Sequence, residues 1–419
     1  MRRWLPVIAT VAGLPTGPLV NGSPASAAAT GSPTGPAITA GVGAGQDHWV
    51  GSWETATARN TNEHFTGVSI RNVVHLSVGG SAVRVRLSNA FGTAPLVLGH
   101  VTVARAADAS ASPAAVPGTM REARFHGQRS VTAAPGGDVR SDPVPLAVPA
   151  RGDLLVTVFL ASDAGPVTFH SVALQTSYRG EGDLAADPTG AAFTTQTSSW
   201  YYLTGVDVRD APAAGAVVTR GDSITDSLGS TYGANVRWPD LLAERLLARP
   251  PSRRLGVMNA GISGNRLLLD GTVDAFGPRA LDRLDRDVLS RSAVRTVLVM
   301  EGINDIQQSP HQLDPTVITS ALRTIADRAH ARGLRVVGAT LTPFEGWRVY
   351  DETLEAVRQA VNAFIRTSGA FDAVVDFDAV LRDPADGSRL LPAYDSGDHL
   401  HPGDAGYRAM ANAVDLHTL

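Results

Sequence analysis

The pattern of apolar residues changes once along this chain, near Ala211-Pro212-Ala213-Ala214-Gly215, and that change limits the folds open to it. From residue 47 to 208 the alternation has a period of two, as strands require, and no convincing amphipathic helix interrupts it. Val83, Val85 and Leu87 fall on one face of such a run, with Arg84 and Arg86 on the other. The runs 73–78 and 82–87 flank Gly79-Gly80 and predict a hairpin. Strands without helices predict a β-sandwich or jelly roll over 47–208.

From 212 to 419 the pattern alternates. Apolar strands are predicted at 216–219, 255–258, 296–300, 334–341 and 373–377. Helices are predicted at 238–248, 280–289, 317–332, 352–367 and about 405–416. Strand–helix alternation demands a parallel sheet covered on both faces, with ligands taken at the carboxyl ends of its strands.

Composition narrows the function classes. The chain is 43% hydrophobic and 18% charged, which excludes a disordered protein. A net charge of −4 gives no general attraction for nucleic acid. With no cysteine, there is no disulfide framework, thiolate metal site or Cys nucleophile. Arg2 and Arg3, the apolar run 4–14 and Ala25-Ser26-Ala27 predict a signal peptide over 1–27 and hence export. Residues 28–46, almost wholly Ala, Gly, Ser, Thr and Pro, predict a flexible linker. No later run approaches the roughly 20 apolar residues of a membrane span, and a monomer is expected.

Four segments follow predicted strands and carry side chains suited to chemistry. Gly221-Asp222-Ser223-Ile224-Thr225-Asp226 offers a serine at a strand end, whose alternative role is helix capping. Asn259-Ala260-Gly261-Ile262-Ser263-Gly264-Asn265 offers a bare backbone N–H at Gly264, or else only a glycine-rich turn. Glu301-Gly302-Ile303-Asn304-Asp305 offers the neutral Asn304 amide, a donor that stabilises an oxyanion without needing a counterion. Asp398-His399-Leu400-His401-Pro402 offers a base and a carboxylate to orient it. Asp395, Asp398 and Asp404 around the histidines leave a metal site as a lesser alternative, though no His-Glu-x-x-His pattern exists. No Gly-x-Ser-x-Gly elbow exists either.

This ordered set resembles the SGNH (GDSL-type) hydrolase superfamily through Ser223, Gly264, Asn304 and His401. The resemblance spans 212–419 and implies a flavodoxin-like three-layer α/β/α domain that needs no metal or other cofactor. It implies a catalytic set of Ser223, Asp398 and His401, and an oxyanion hole of the Ser223 and Gly264 N–H groups with Asn304. Asp222, Asp226 and Asp305 read as local hydrogen-bonding supports and not as catalysts. The runs 235–240 and 393–402, with Trp49-Val50-Gly51-Ser52-Trp53, resemble a branch of secreted bacterial esterases related to an arylesterase grouped with xylan-degrading enzymes. Arg220 departs from the family, which favours a small or apolar residue there. Its expected place is along the surface, with the active site as the alternative.

These readings converge on a secreted serine esterase for small-molecule or polymeric carboxylic esters: acetylated glycan, aryl or lipid. A lipase or phospholipase is the nearest alternative. A non-catalytic glycan-binding protein on a degenerate hydrolase fold is the alternative of another class. The 47–208 domain is expected to wall the cleft or stabilise the catalytic domain.

Overall fold

The five apolar runs after residue 214 lie side by side in the computed structural model, which describes residues 48–107 and 112–419. The expected signal peptide and linker fall outside the described residues. The strands Leu255–Gly261, Gly215–Gly221, Val294–Met300, Arg335–Ala339 and Ala373–Val375 neighbour one another in that order, all parallel. Counted along the chain the order is second, first, third, fourth, fifth. The direction of travel therefore switches between the first and third strands, where open α/β sheets take ligands. Register decides what gathers there. Gly221 is level with both Gly261 and Met300, so the segments 222–226, 262–265 and 301–305 leave the sheet at one edge.

The helices form two packed groups. Trp238–Leu247 contacts Asp404–Ala413, which contacts Phe377–Leu381; Pro315–His330 contacts Glu352–Thr367 and Ala280–Leu284. Glu352–Thr367 shows the local logic. Asp351 accepts from Leu354 N at 2.8 Å at its start, and Leu354, Val357, Val361 and Ile365 bury one stripe. The helix expected over 280–289 is α only to Leu284 and turns π over Asp285–Leu289. The fifth strand ends at Val375, two residues early, because Asp376 caps Phe377–Leu381.

The β region is antiparallel as expected, but the hairpin around Gly79-Gly80 is not formed. Val68–His75 pairs with Asp153–Leu160 and Ser177–Glu181, whereas Ala82–Ser88 pairs with Leu203–Arg209 and Asp138–Arg140 in another sheet. The two glycines carry the chain between sheets past other backbone. A Cβ on Gly79 would lie 2.4 Å from Val148 O, and one on Gly80 2.3 Å from Arg209 O. Close approach selects these glycines, not a turn type.

The described residues form a single compact unit. Trp49–Glu54 packs beside the edge strand Leu255–Gly261. A Cβ on Gly256 would lie 2.1 Å from Gly51 O, and one on Gly51 2.3 Å from the Met258 sulfur. Ser77 Oγ accepts from Val257 N at 2.9 Å. The exposed edge of the parallel sheet is thus covered by the β region, as unpaired edges require. Arg84 and Arg86, on the polar face of their strand, reach Ser292 Oγ and Ser290 O rather than open solvent. Among the described residues no helix is long and apolar enough to cross a membrane.

Candidate active site

Asp222 starts the short helix Ser223–Asp226, its Oδ1 accepting from Ile224 N at 2.9 Å. The aspartate does the capping and leaves the serine hydroxyl free for other work. Ser223 Oγ lies 2.8 Å from His401 Nε2, and His401 Nδ1 lies 2.6 Å from Asp398 Oδ2. Asp398 Oδ1 accepts from the backbone N–H groups of Leu400 and His401 at 3.0 and 2.8 Å. Burial works against the Asp398 charge, but the His401 contacts and these N–H groups outweigh it. They hold the carboxyl well below the usual carboxylate range. His401 and Ser223 are both buried. His399 turns away: with φ +67° its ring pairs with Asp395, Nδ1 to Oδ2 at 2.6 Å, and stays exposed.

A line of donors orients the Asn304 amide. Trp347 Nε1, which can only donate, meets Gln307 Oε1 at 2.9 Å; Gln307 Nε2 then meets Asn304 Oδ1 at 2.6 Å. Asn304 Nδ2 is thereby the donor end, giving one hydrogen to Asn265 O at 2.8 Å and keeping one. The same Trp347 ring stands edge-on to His401, centroids 6.3 Å apart. Gly264 has φ +80°, and its carbonyl accepts from Gln308 Nε2 at 3.0 Å. A Cβ there would collide with the Phe276 ring at 2.3 Å. Only glycine fits.

The carboxylates behind these groups brace loops. Asp305 accepts from Leu267 N and Leu268 N at 2.7 and 2.9 Å. Asp226 accepts from both the N–H and the hydroxyl of Ser263, at 3.0 and 2.7 Å. Arg283, fully buried, donates to Gly221 O, Ala260 O and Glu301 Oε1, so one guanidinium ties together the ends of the first three strands. Burial raises the Glu301 carboxyl to about 7 against the pull of Arg283 and Arg220. Burial beside Glu301 raises Asp222 well above its ordinary value. Arg220 corrects the expectation for it: neither on the surface nor in the site, it is wholly buried and donates to Ala280 O. Burial, with Arg283 nearby, lowers it to about 9.

The structure therefore brings Ser223, Asp398, His401, Gly264 and Asn304 to one sheet edge, with Asp222 and Asp305 beneath. Sequence reasoning missed Gln307, Gln308 and Trp347, which touch the expected groups through hydrogen bonds or ring contact, and Arg283, which ties together the strand ends that carry them. It also missed His170, from the β region, whose Nε2 lies 3.0 Å from Asp226 Oδ1. Burial disfavours the His170 cation, but Asp226 and the Ala56 and Val172 carbonyls more than offset that and raise its pKa. Among the described residues no group of three or more His, Asp or Glu side chains is placed to hold a metal ion.

Residues 220–409 match the family described as GDSL-like Lipase/Acylhydrolase. No curated protein matches the chain. Among solved structures, one similar chain is a lipolytic protein of the G-D-S-L family from Desulfitobacterium hafniense. It is 20% identical with TM-score 0.38, over 49% of this chain and 99% of that one. A lipase/acylhydrolase from Enterococcus faecalis is 20% identical with TM-score 0.36, over 47% and 92%. An acetyl xylan esterase from Geobacillus stearothermophilus is 24% identical with TM-score 0.37, over 48% and 93%.

Proposed function

We infer that this chain, a carboxylic ester hydrolase whose residues 220–409 match the GDSL-like lipase/acylhydrolase family, works through an acyl-enzyme on Ser223. The observation that carries this reading is the hydrogen-bonded line from Ser223 Oγ through His401 to Asp398, at 2.8 and 2.6 Å. His401 Nε2 takes the hydroxyl proton as Oγ attacks the ester carbonyl carbon. The carbonyl π pair moves to oxygen, and the resulting oxyanion is received by the Ser223 and Gly264 N–H groups and the free Asn304 Nδ2 hydrogen. The pair returns, the C–O bond to the alcohol breaks, and His401 delivers its proton to the leaving oxygen. Water then repeats the sequence on the acyl-enzyme. Asp398 stays ionised, fixing the tautomer that aims Nε2 at serine.

An extracellular ester, such as an acetylated glycan, is the proposed substrate, since the N-terminal pattern of residues 1–27 suits export. The deciding experiment is hydrolysis of p-nitrophenyl acetate by wild type and Ser223→Ala, followed by a panel of acyl lengths and acetylated polysaccharides. Activity that survives in Ser223→Ala would defeat the mechanism. A wild-type chain that binds glycan without hydrolysing any ester would favour the non-catalytic alternative.

A further inference from the structure

We propose that His170, carried by the β region, is a positioning residue for the oxyanion loop 262–265, acting through Asp226. The proposal rests on the reading of Gly264 and Asn304 as oxyanion donors.

His170 ends the strand Val167–His170 and is buried. Its Nδ1 faces Ala56 O at 2.8 Å, and its Nε2 faces Asp226 Oδ1 at 3.0 Å and Val172 O at 3.1 Å. Backbone carbonyls only accept, so both ring nitrogens must carry protons, and the ring is an imidazolium. A buried cation needs a buried counter-charge, and Asp226 supplies it. Asp226 closes the helix that begins at Ser223, while its other oxygen holds Ser263 by both N–H and hydroxyl. One carboxylate thus joins the nucleophile helix, the residue before Gly264 and the β region. Without His170 the buried Asp226 loses its counter-charge and turns to another partner or toward water. Either change weakens its hold on Ser263.

A second grip reaches the same loop from its other side. Asp274 accepts from Arg59 Nη2 at 2.7 Å and Thr61 Oγ1 at 2.9 Å, both from the β region. Two residues on, the Phe276 ring fills the space against Gly264, and Phe276 O accepts from Asn265 Nδ2 at 2.7 Å. This contact is exposed, and exposed ion pairs contribute little. The buried His170 link is therefore the stronger constraint.

A buried Asp–His pair could instead be a plain staple between the two regions, which would move the melting temperature and leave turnover alone. The test uses the full chain, p-nitrophenyl acetate, and a trifluoromethyl ketone whose serine adduct carries the oxyanion. In His170→Gln, kcat is expected to fall about 10–100-fold with KM within about threefold, because small misplacements of this kind cost that much. Affinity for the ketone should fall in step with kcat/KM. In Asp274→Ala, a surface variant, kcat should fall by a smaller factor, about threefold to tenfold. Folded variants that keep kcat and ketone affinity within about twofold of wild type, whatever their melting temperatures, overturn the proposal. If His170→Gln does not fold, Ser263→Ala, which removes the hydroxyl that Asp226 holds, decides by the same criteria. A wild-type chain without Ser223-dependent hydrolysis defeats the underlying esterase reading instead, and is recognised by that control.

Discussion

Two Asp–His pairs sit within seven residues of one another, Asp395–His399 and Asp398–His401, and each has Nδ1 2.6 Å from a carboxylate oxygen. By that distance they are equivalent. They differ in what surrounds them: the His401 side chain is 7% exposed and the His399 side chain 54%. They differ also in where the second nitrogen points. His401 Nε2 meets Ser223 Oγ, while the His399 ring lies against Gly346. A carboxylate beside an imidazole is thus not enough to make a general base. The second nitrogen must reach the hydroxyl in a site where water does not compete for it.

The sharpest break in that comparison is His401→Ala, expected to lower kcat on p-nitrophenyl acetate by about 10⁴-fold or more. A loss below about a hundredfold in a folded variant would mean the two pairs are not functionally distinct. Asp398→Asn comes next, at about 10³–10⁴-fold, because an amide donor facing Nδ1 favours the wrong tautomer while the Ser–His pair survives. Turnover lower than that of His401→Ala would contradict this order. Asn304→Ala removes one oxyanion donor and should lower kcat by about 10²–10³-fold with the fold intact. A loss under about threefold would take Asn304 out of the site.

What could be read ahead of the structure follows from how each part is buried. The strands of the parallel sheet are covered on both faces and appear as bare apolar runs, such as Val217 and Val218 or Val297 to Met300, so their existence was plain. Their ends carry glycines and polar side chains that no strand core would hold, which marked 221–226, 261–265 and 301–305. In the β region the same alternation gave strands but not partners, since period two says nothing about which strand lies alongside. Gly79-Gly80 looked like a turn because a glycine needed for close packing and one needed for positive φ are identical in sequence. The braces were hidden for a different reason. Arg283 lies 62 residues from Gly221, and His170 lies 56 from Asp226. No local pattern joins such pairs. Gly51 stands in a sequence motif, but its contact with Gly256 is a fact of three dimensions.

The exposed pair should matter far less. His399→Ala is expected to cost at most about tenfold, mainly in KM if the ring lines the path of the substrate, because the triad geometry does not pass through it. The positive φ of His399 adds a small stability cost to that variant, since histidine adopts this conformation several-fold more readily than most side chains. If His399→Ala is the inactive variant and His401→Ala retains turnover, the assignment of the base is reversed.

A third pair, His170–Asp226, shares the carboxylate–imidazole contact but has no serine on the far nitrogen, and it is set apart by how its stability contribution changes with pH. Its charged neighbourhood is simple. Asp226 is within hydrogen-bond reach, and Arg237 lies over the Trp200 ring that His170 faces. Burial opposes the imidazolium, yet Asp226 and the two carbonyls raise its pKa in the folded chain. A raised value means the folded state holds the proton more tightly than the unfolded state does. The resulting stabilisation is fully present below the ordinary histidine pKa of about 6.5 and is lost as pH rises through the higher folded value. Calorimetry of wild type and His170→Gln across pH should therefore show the largest gap in melting temperature at the acidic end, narrowing as pH rises. The active-site pair predicts the opposite sense for its own carboxyl. Asp398 is depressed, so its contribution is present above the ordinary carboxylate pKa and disappears only as pH falls through the lower folded value. A wild-type-to-His170→Gln gap that widens with pH would mean the His170 ring is neutral in the folded chain. The contrast would then lie between two neutral bases and not between a base and a fixed cation.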